Sequence, residues 1–490
     1  MRRWADSSWP LLALVTAVGA ALRLYGLDRE SLWNDELSAW TQYRLATWQE
    51  VVRAVSTYHP PGYWTLMHIW VRALGDSETM LRLPSALAGI AVIPALFALG
   101  RRLYGPPEGL IAAALTATAW TPIYYSQEAR AYMLLMLSVV LSSSWLVDLA
   151  RALRDQRPLP VAATVGYVLA AELACYLHYA GLLFTVLQAA LMALLFHRRP
   201  AALIRLAAIY GVVLLGYLPW LRRATTELAG GPEWLRPPEL TSVALFVRSL
   251  FNESNAIAGL ALALWATLVA RAAELVRRGQ ARRLASSPDA LLVAWLVVPI
   301  AILYLRSRFG APVFGDRYLI TVAPAAYLFT ARAVTQLPFP RMSTPVVATL
   351  LPALLVGHLL FVKQYFTRPR KEQFRDAAAY LVRHDVPGAR AVIVACAWNG
   401  EYFDYYLERL GSPRRVDRVV ETGGDRAAVA QLVERRAPHD VWLLAGHKQP
   451  APDLLAALAE DLLQVDVVHL YGAAVWHFVP RSTGRAETSE

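Results

Sequence analysis

The run Trp9-Pro-Leu-Leu-Ala-Leu-Val-Thr-Ala-Val-Gly-Ala-Ala-Leu-Arg-Leu-Tyr-Gly-Leu27 leads, after Asp28-Arg-Glu30, into Ser31-Leu-Trp-Asn-Asp-Glu-Leu-Ser-Ala-Trp40. The first stretch is apolar over roughly the 20 residues that a helix needs to cross a bilayer. Arg2 and Arg3 precede it, and no small-residue cleavage pattern closes it before Arg23. It therefore reads as an uncleaved first transmembrane helix with its N-terminus in the cytoplasm, not as a removed signal. The second stretch sets two adjacent carboxylates, Asp35 and Glu36, between Trp33 and Trp40 where the chain leaves the membrane. Ionised groups held at a membrane face are costly unless they serve a purpose.

Composition agrees with that reading over the whole chain. Of 490 residues, 56% are hydrophobic and only 17% charged, and the mean hydropathy is +0.36. This is too apolar for an ordinary soluble protein, so the expected fold class is a mostly α, polytopic membrane protein. The net charge of +11 comes almost wholly from arginine, because the only lysines are Lys363, Lys371 and Lys448. The arginines are scattered among apolar segments instead of forming the basic stripe of a nucleic-acid binder, and no nucleic-acid partner is expected. Cys175 and Cys396 are too few and too differently placed for a disulfide framework or a metal motif.

Further apolar spans of roughly 17–22 residues are expected near Arg82–Leu103, Leu110–Tyr125, Ala131–Ala150, Leu159–Tyr176, Ala180–Phe196, Leu203–Trp220, Ala256–Val276, Ala290–Leu305, Tyr318–Ala333 and Val346–Val362. With the first, that makes about eleven. Their parity puts Arg101-Arg102, the Arg151/Arg154/Arg157 group, Arg198-Arg199 and the Arg277–Arg283 loop in the cytoplasm, as the positive-inside rule asks. Arg222-Arg223 and the Arg306/Arg308 pair fall outside, against the rule. Gly62–Ala73 is apolar but too short to span and is interrupted by His68, Trp70 and Arg72; it is expected along the membrane surface. Leu37–Val55 is expected as an interfacial amphipathic helix.

After Val362 the pattern changes. Arg370–Leu381 is polar and helical, and Ala391–Cys396, Asp440–Leu444, Val465–Leu470 and Ala474–Val479 are short strand-like runs between helical stretches. The expected organisation is a transmembrane domain over 1–365 and a small α/β domain over 366–490. An odd span count places the latter outside the cytoplasm. Gly423-Gly424 lacks the strand and spacing of a nucleotide fingerprint, and the expected role of the small domain is accessory.

Three polar clusters fall on the same expected face: Asp35-Glu36, His59-Pro60-Pro61, and Tyr125-Ser-Gln-Glu-Ala-Arg-Ala-Tyr132. Partial burial and a like-charged neighbour would separate the two carboxylate pKa values, a state suited to a general base. The local sequence does not rank Asp35 against Glu36. His59 suits either a helix start at the two prolines or a substrate contact. Glu128 and Arg130 suit a mutual ion pair, but arginine is also the residue for bidentate phosphate binding. Arg317, in Gly315-Asp-Arg-Tyr-Leu319, is open to snorkelling or to a functional role. His178-Tyr179 stands where interfacial anchors are found.

Asp35-Glu36, His59-Pro60-Pro61, Arg82-Leu-Pro-Ser85, Tyr125–Arg130, His178-Tyr179 and Arg317-Tyr318, in that order, resemble the integral-membrane glycosyltransferases of the C-type fold, which include protein O-mannosyltransferases and lipid A aminoarabinose transferases. The resemblance covers roughly Trp9 to Leu337. It implies a polyprenyl-phosphate-linked sugar donor, inverting transfer on the extracytoplasmic face of the plasma membrane, and a first-loop carboxylate as base; that carboxylate maps onto Asp35, with Glu36 beside it. Donor phosphate and substrate contacts are expected at Arg130, Glu128, His59, Arg317, Tyr318, His178 and Tyr179. The Trp-Trp-Asp signature of oligosaccharyltransferases is lacking, which argues against en bloc N-glycan transfer. The acceptor that the resemblance implies is a cell-envelope glycan, lipid or protein.

The chemistry is consistent with this on its own terms. A lipid phosphate leaving group needs a cation, an acceptor hydroxyl needs a base, and a polyprenyl chain needs an apolar groove. No cofactor is expected to be required, although Asp35, Glu36 and Glu128 would suit a divalent cation if they converged. The main rival is a transporter or flippase of lipid-linked sugars. Such proteins often show inverted repeats with buried mid-membrane charges, whereas here the charges sit at helix ends and no repeat is evident.

Overall fold

The structure is a computed structural model that describes all residues except 1, 56–58, 228–229, 231–233, 281–286, 386–390, 395–398, 417, 420–439, 451 and 482–490. Cys396, Gly423-Gly424 and Arg282-Arg283 lie outside the described residues. Contacts divide the chain into two units: Met1–Leu27 with Ala46–Gln364, and Asp28–Leu45 with Tyr365–Glu490.

In chain order the helices to Gln364 are α1 (Arg2–Leu24), α2 (Asn34–Tyr43), α3 (Trp48–Ala54), α4 (Gly62–Leu74), α5 (Glu78–Leu103), α6 (Pro106–Thr118), α7 (Trp120–Ser126), α8 (Tyr132–Arg154), α9 (Val161–Leu177), α10 (Tyr179–Phe196), α11 (Pro200–Glu227), α12 (Leu240–Ser249), α13 (Asn255–Arg277), α14 (Pro288–Phe309), α15 (Ala323–Thr335) and α16 (Pro340–Gly357). All but α2 belong to the first unit. Among the described residues, seven of its helices are long and apolar enough to cross a membrane: α5, α8, α10, α11, α13, α14 and α16 with its extension to Val362. Three further apolar helices, Ser8–Leu24, Val161–Leu177 and Leu240–Ser249, are shorter. The chain is thus a multi-pass membrane protein, as its hydropathy pattern anticipates.

Two of the expected spans are not continuous helices. Leu110–Tyr125 breaks at Ala119, whose backbone is extended (φ −71°, ψ 139°) between α6 and α7. Tyr318–Ala333 contains a 3₁₀ turn at Ile320–Val322 before α15 begins, with Pro324 in its first turn. Proline cannot supply the N–H that an uninterrupted helix needs there. Both segments are largely buried among the longer helices. The expected surface helix Leu37–Val55 also divides, into α2 and α3. Thr47 starts the latter by accepting a hydrogen bond from the Glu50 amide (3.2 Å), and the two halves fall in different units.

A broken helix in lipid must have its freed backbone groups satisfied by protein. At the Ala119 break this falls to Asn252, fully buried and in a left-handed backbone conformation (φ 59°). Its Oδ1 accepts from the Trp120 amide at 2.7 Å, and its Nδ2 donates to the Leu355 carbonyl at 2.8 Å. Thr121 Oγ1 adds a bond to the Ser249 carbonyl (2.7 Å). The Lys363 ammonium lies 3.9 Å from the Trp120 ring centroid and pairs with Glu253 at 2.5 Å. Asparagine tolerates the left-handed region better than most residues, which makes it a residue type that meets both demands.

The second unit contains α2, α17 (Phe374–His384), α18 (Asn399–Arg409), α19 (Pro452–Asp461) and a five-stranded sheet. Its strands are β1 (Ala391–Val394), β2 (Arg418–Val419), β3 (Val441–Gly446), β4 (Leu462–Leu470) and β5 (Ala473–Pro480), in the order β2-β1-β3-β5-β4. β1 is parallel to β2 and β3, while β5 is antiparallel to β3 and β4. β3 is buried throughout, whereas β4, at the edge, is mostly exposed. The four strand-like runs thus form a mixed α/β sheet. The segment 28–45 joins this unit through specific bonds: Leu32 N–H to Tyr406 Oη (2.6 Å), Asn34 N–H to Glu372 Oε2 (2.9 Å), and an edge-to-face contact between Trp40 and Tyr405.

Replacing Asn252 with alanine leaves the Trp120 amide and the Leu355 carbonyl buried without their partner. At about 1–3 kcal/mol for each such group, the purified protein in detergent is expected to lose several degrees in its melting midpoint. An unchanged midpoint would show that the break does not depend on Asn252.

Candidate functional site

Within the helical unit, three connections converge. Arg130 lies in the short link between α7 and α8, and that link is pinned from several sides. Ser85 Oγ donates to the Arg130 carbonyl (2.9 Å), and Gln127 Nε2 donates to the Arg23 and Tyr25 carbonyls at the end of α1 (3.1 and 2.8 Å). Arg82 Nη1, fully buried, donates to the Leu27 carbonyl (2.9 Å). A Cβ on Gly89 would stand 2.0 Å from Ser126 Oγ, so only glycine lets α5 and α7 approach here. The Arg82-Leu-Pro-Ser85 element therefore acts by holding the Arg130 link.

His59 precedes Pro60-Pro61, and α4 starts immediately after at Gly62. A Cβ at Gly62 would lie 2.5 Å from the Tyr176 carbonyl oxygen, so the start of α4 rests directly on the end of α9. This brings His59 beside His178, two residues beyond Tyr176, with ring centroids 5.6 Å apart. His178 is extended between α9 and α10 (φ −164°, ψ 147°), and its Nδ1 accepts the Ala180 amide at 3.0 Å. That bond assigns its proton to Nε2. Tyr318 stacks obliquely on the other side of His178, with centroids 5.5 Å apart.

Arg130 Nη2 lies 3.2 Å from His59 Nε2. A guanidinium only donates, so His59 accepts at Nε2 and is neutral with its proton on Nδ1. Burial first, then the charges of Arg130, His178 and Arg317, hold the His59 pKa well below the usual histidine range. Burial and the same two arginines push His178 down to about 3. Both imidazoles thus stay uncharged at neutral pH, so the positive charge of the cluster resides on Arg130 and Arg317. The Arg317 guanidinium packs over Trp234, 4.8 Å from the ring centroid, and 6.0 Å from that of Tyr318.

Three buried donors face the same neighbourhood without a protein acceptor among the described residues: His178 Nε2–H, Tyr132 Oη–H and Trp64 Nε1–H. Tyr132 stacks near His178 (6.0 Å), and Trp64 lies against His59 (5.0 Å) and under Arg130 (5.8 Å). Buried donors are normally paired. Two guanidiniums and three donors without a protein acceptor among the described residues thus share one neighbourhood, an arrangement whose chemistry suits anionic oxygen. In the sequence Trp64 does not stand out and Tyr132 does so only as the end of the polar run Tyr125–Tyr132, because an aromatic at a membrane interface has a generic explanation.

The other expected site residues take different places. Glu128 is almost fully buried near Tyr125. Tyr179 accepts a hydrogen bond from Trp220 Nε1 (3.2 Å), which ties α10 to α11. Among the described residues, no three His, Cys, Asp or Glu side chains group as a metal site.

In the second unit, Asp35 and Glu36 occupy the first turn of α2 and are clearly distinguished. Glu36 is fully buried; its Oε2 accepts the Trp33 amide at 3.3 Å and pairs with Lys371 Nζ at 3.3 Å. Asp35 is half-buried. It lies close enough to Tyr402 to add, after burial, to pushing that phenol up to about 12.

No family model matches the chain, and no curated protein sequence matches it. Its fold, however, is that of the C-type membrane glycosyltransferases. ArnT from Cupriavidus metallidurans, in a crystal structure bound to undecaprenyl phosphate, superimposes with a TM-score of 0.57 at 14% identity, over 95% of this chain and 97% of that one. The apo oligosaccharyltransferase of Archaeoglobus fulgidus gives 0.54 at 13% identity, over 98% and 75%. The mycobacterial arabinofuranosyltransferase AftD gives 0.51 at 17% identity, over 98% of this chain and 42% of that one.

Glu36→Gln is expected to lower the stability of the second unit by about 3 kcal/mol, the scale of breaking one side of a buried ion pair. Asp35→Asn, at a half-exposed position, is expected to stay within about 0.5 kcal/mol of the parent. Chemical denaturation followed by tryptophan fluorescence measures both; equal effects would refute the distinct roles of the two carboxylates.

Proposed function

We propose that this protein transfers a sugar, with inversion, from a polyprenyl-phosphate-linked donor to an acceptor hydroxyl or phosphate on the extracytoplasmic face of the plasma membrane. The observation that carries the reading is the group of three buried donors in the helical unit, His178 Nε2–H, Tyr132 Oη–H and Trp64 Nε1–H, without acceptors among the described residues and beside the Arg130 and Arg317 guanidiniums. It suits a lipid monophosphate, the group that ArnT holds as undecaprenyl phosphate.

In this reaction the acceptor oxygen forms a bond to the anomeric carbon as its proton passes to Asp35. The bond from that carbon to the phosphate oxygen breaks, and the electron pair leaves with the lipid phosphate. Arg130 and Arg317 stabilise the charge that develops on the leaving group. His178 Nε2–H, Tyr132 and Trp64 complete its coordination, and the neutral His59 keeps the Arg130 fork oriented. Asp35 is assigned as base from the family resemblance and from its partial exposure. Glu36, bound to Lys371, supports the turn that carries Asp35.

Binding of undecaprenyl phosphate to the purified protein tests the phosphate site. Arg130→Lys keeps the charge but loses the planar fork, and is expected to weaken binding on the order of tenfold; Arg130→Ala is expected to be worse. Asp35→Asn is expected to leave that binding intact while cutting turnover by roughly a hundredfold to ten-thousandfold. Parent-like binding in Arg130→Ala would reject the phosphate site, and full turnover in Asp35→Asn would reject the base.

Orientation is tested in a protein whose two native cysteines are replaced. A cysteine placed at Glu408, on exposed α18, is expected to react with an impermeant maleimide in intact spheroplasts. One placed at Gln280 is expected to react only after lysis. The reverse pattern would overturn the extracytoplasmic assignment.

A further inference from the structure

A recess of about 890 Å³ opens at the end of α13 and α14 away from Arg317, since α14 begins at the recess and runs from Pro288 to Phe309 before the chain reaches the arginine. Its volume falls in the range of small-molecule sites, about 300–1,000 Å³. Leu268, Val269, Val297 and Phe329 form its walls, and Arg271, Arg278, Arg332, Glu274 and Asp289 form its rim. Val269 and Val297 are more than half exposed on membrane-spanning helices, so the recess faces lipid and not water.

The rim charges do not cancel. Glu274 pairs with Arg277 (2.8 Å) and Arg278 (2.6 Å), and Arg332 pairs with Glu108 (3.2 Å) and Asp289 (3.6 Å). Arg271 donates to the Gln336 carbonyl at 2.7 Å and has no carboxylate partner among the described residues. Among the described rim residues, three guanidiniums (Arg271, Arg278 and Arg332) against two carboxylates (Glu274 and Asp289) leave one positive charge in excess at the mouth of an apolar recess. A soluble anion would find the charge but not a use for the walls, and a zwitterionic lipid would find the walls but no net attraction.

We propose that this recess binds one anionic glycerophospholipid, with its acyl chains along Leu268, Val269 and Val297 and its phosphodiester at Arg271. A phosphodiester carries one negative charge, which matches the excess. Basic pockets between membrane helices are recognised sites for anionic headgroups. The site is at the opposite end of the helices from the Arg130 cluster and does not depend on the reaction proposed for that cluster.

Full-length protein, stripped of lipid in detergent, is titrated with phosphatidylglycerol or with phosphatidylcholine of identical acyl chains and followed by native mass spectrometry. One phosphatidylglycerol is expected to be retained about tenfold more tightly than phosphatidylcholine. Arg271→Gln is expected to reduce it to the phosphatidylcholine level with no change in the lipid-free melting midpoint. Val297→Trp, which fills the wall without touching the charge, is expected to weaken retention of both lipids. Equal retention of the two lipids by the parent, parent-like retention in either variant, or a second copy of the chain taking the place of lipid would each overturn the proposal.

Discussion

Lipid offers no hydrogen bonds, and the architecture follows from how this chain satisfies its backbone where helices stop short. The break at Ala119 is the clearest case. A continuous helix from Pro106 to Ser126 would leave the Thr118 carbonyl without its partner opposite Pro122, and it would also carry the following link elsewhere. Because Asn252 and Thr121 tie the broken ends to the loop after α12 and to Leu355, α7 takes its own direction and the Gln127–Ala131 link is delivered to the end of α1. Arg130 owes its position to an interruption whose cost is offset by buried side chains remote in sequence.

The cluster around Arg130 shows a second economy. Four basic side chains are gathered there, and if all were charged their mutual repulsion in a poorly hydrated setting would be severe. Burial keeps both imidazoles neutral, which halves the charge and turns one histidine into an acceptor for arginine and the other into a donor aimed at ligand. In the proposed reaction, neutral hydrogen-bond donors and two guanidiniums share the task of holding the lipid phosphate. The surrounding aromatic rings exclude water and strengthen each of these contacts.

Much of this was legible in the residues themselves. Hydropathy located the long apolar segments but not the short apolar helix Leu240–Ser249, and the polar links His59-Pro-Pro, Tyr125–Tyr132, His178-Tyr179 and Arg317-Tyr318 include residues that meet. The interruptions inside apolar runs are signalled only by Pro122 and Pro324, and the residue that satisfies the break at Ala119, Asn252, is more than a hundred positions away. Nor did the sequence rank the adjacent carboxylates, since the buried partner of Glu36 is Lys371, in a segment with no periodic relation to it. Trp64 was hidden by the abundance of interfacial aromatics, and Gly62 by the absence of any local turn that would call for glycine.

The grouping of Asp28–Leu45 with the C-terminal residues bears on how such proteins can be recombined. A chimera that exchanged only the residues after Gln364 would import a sheet whose Tyr406, Glu372 and Lys371 expect particular partners in a segment left behind in the host. Leu32, Asn34 and Glu36 would face unfamiliar neighbours, and the helix that presents Asp35 would lose its footing. A workable exchange has two seams, one on each side of the short segment, so that inheritance of the carboxylate and of the distal domain is a single event. Natural divergence is subject to the same bookkeeping: drift in the last hundred residues must be answered within about a dozen near the start.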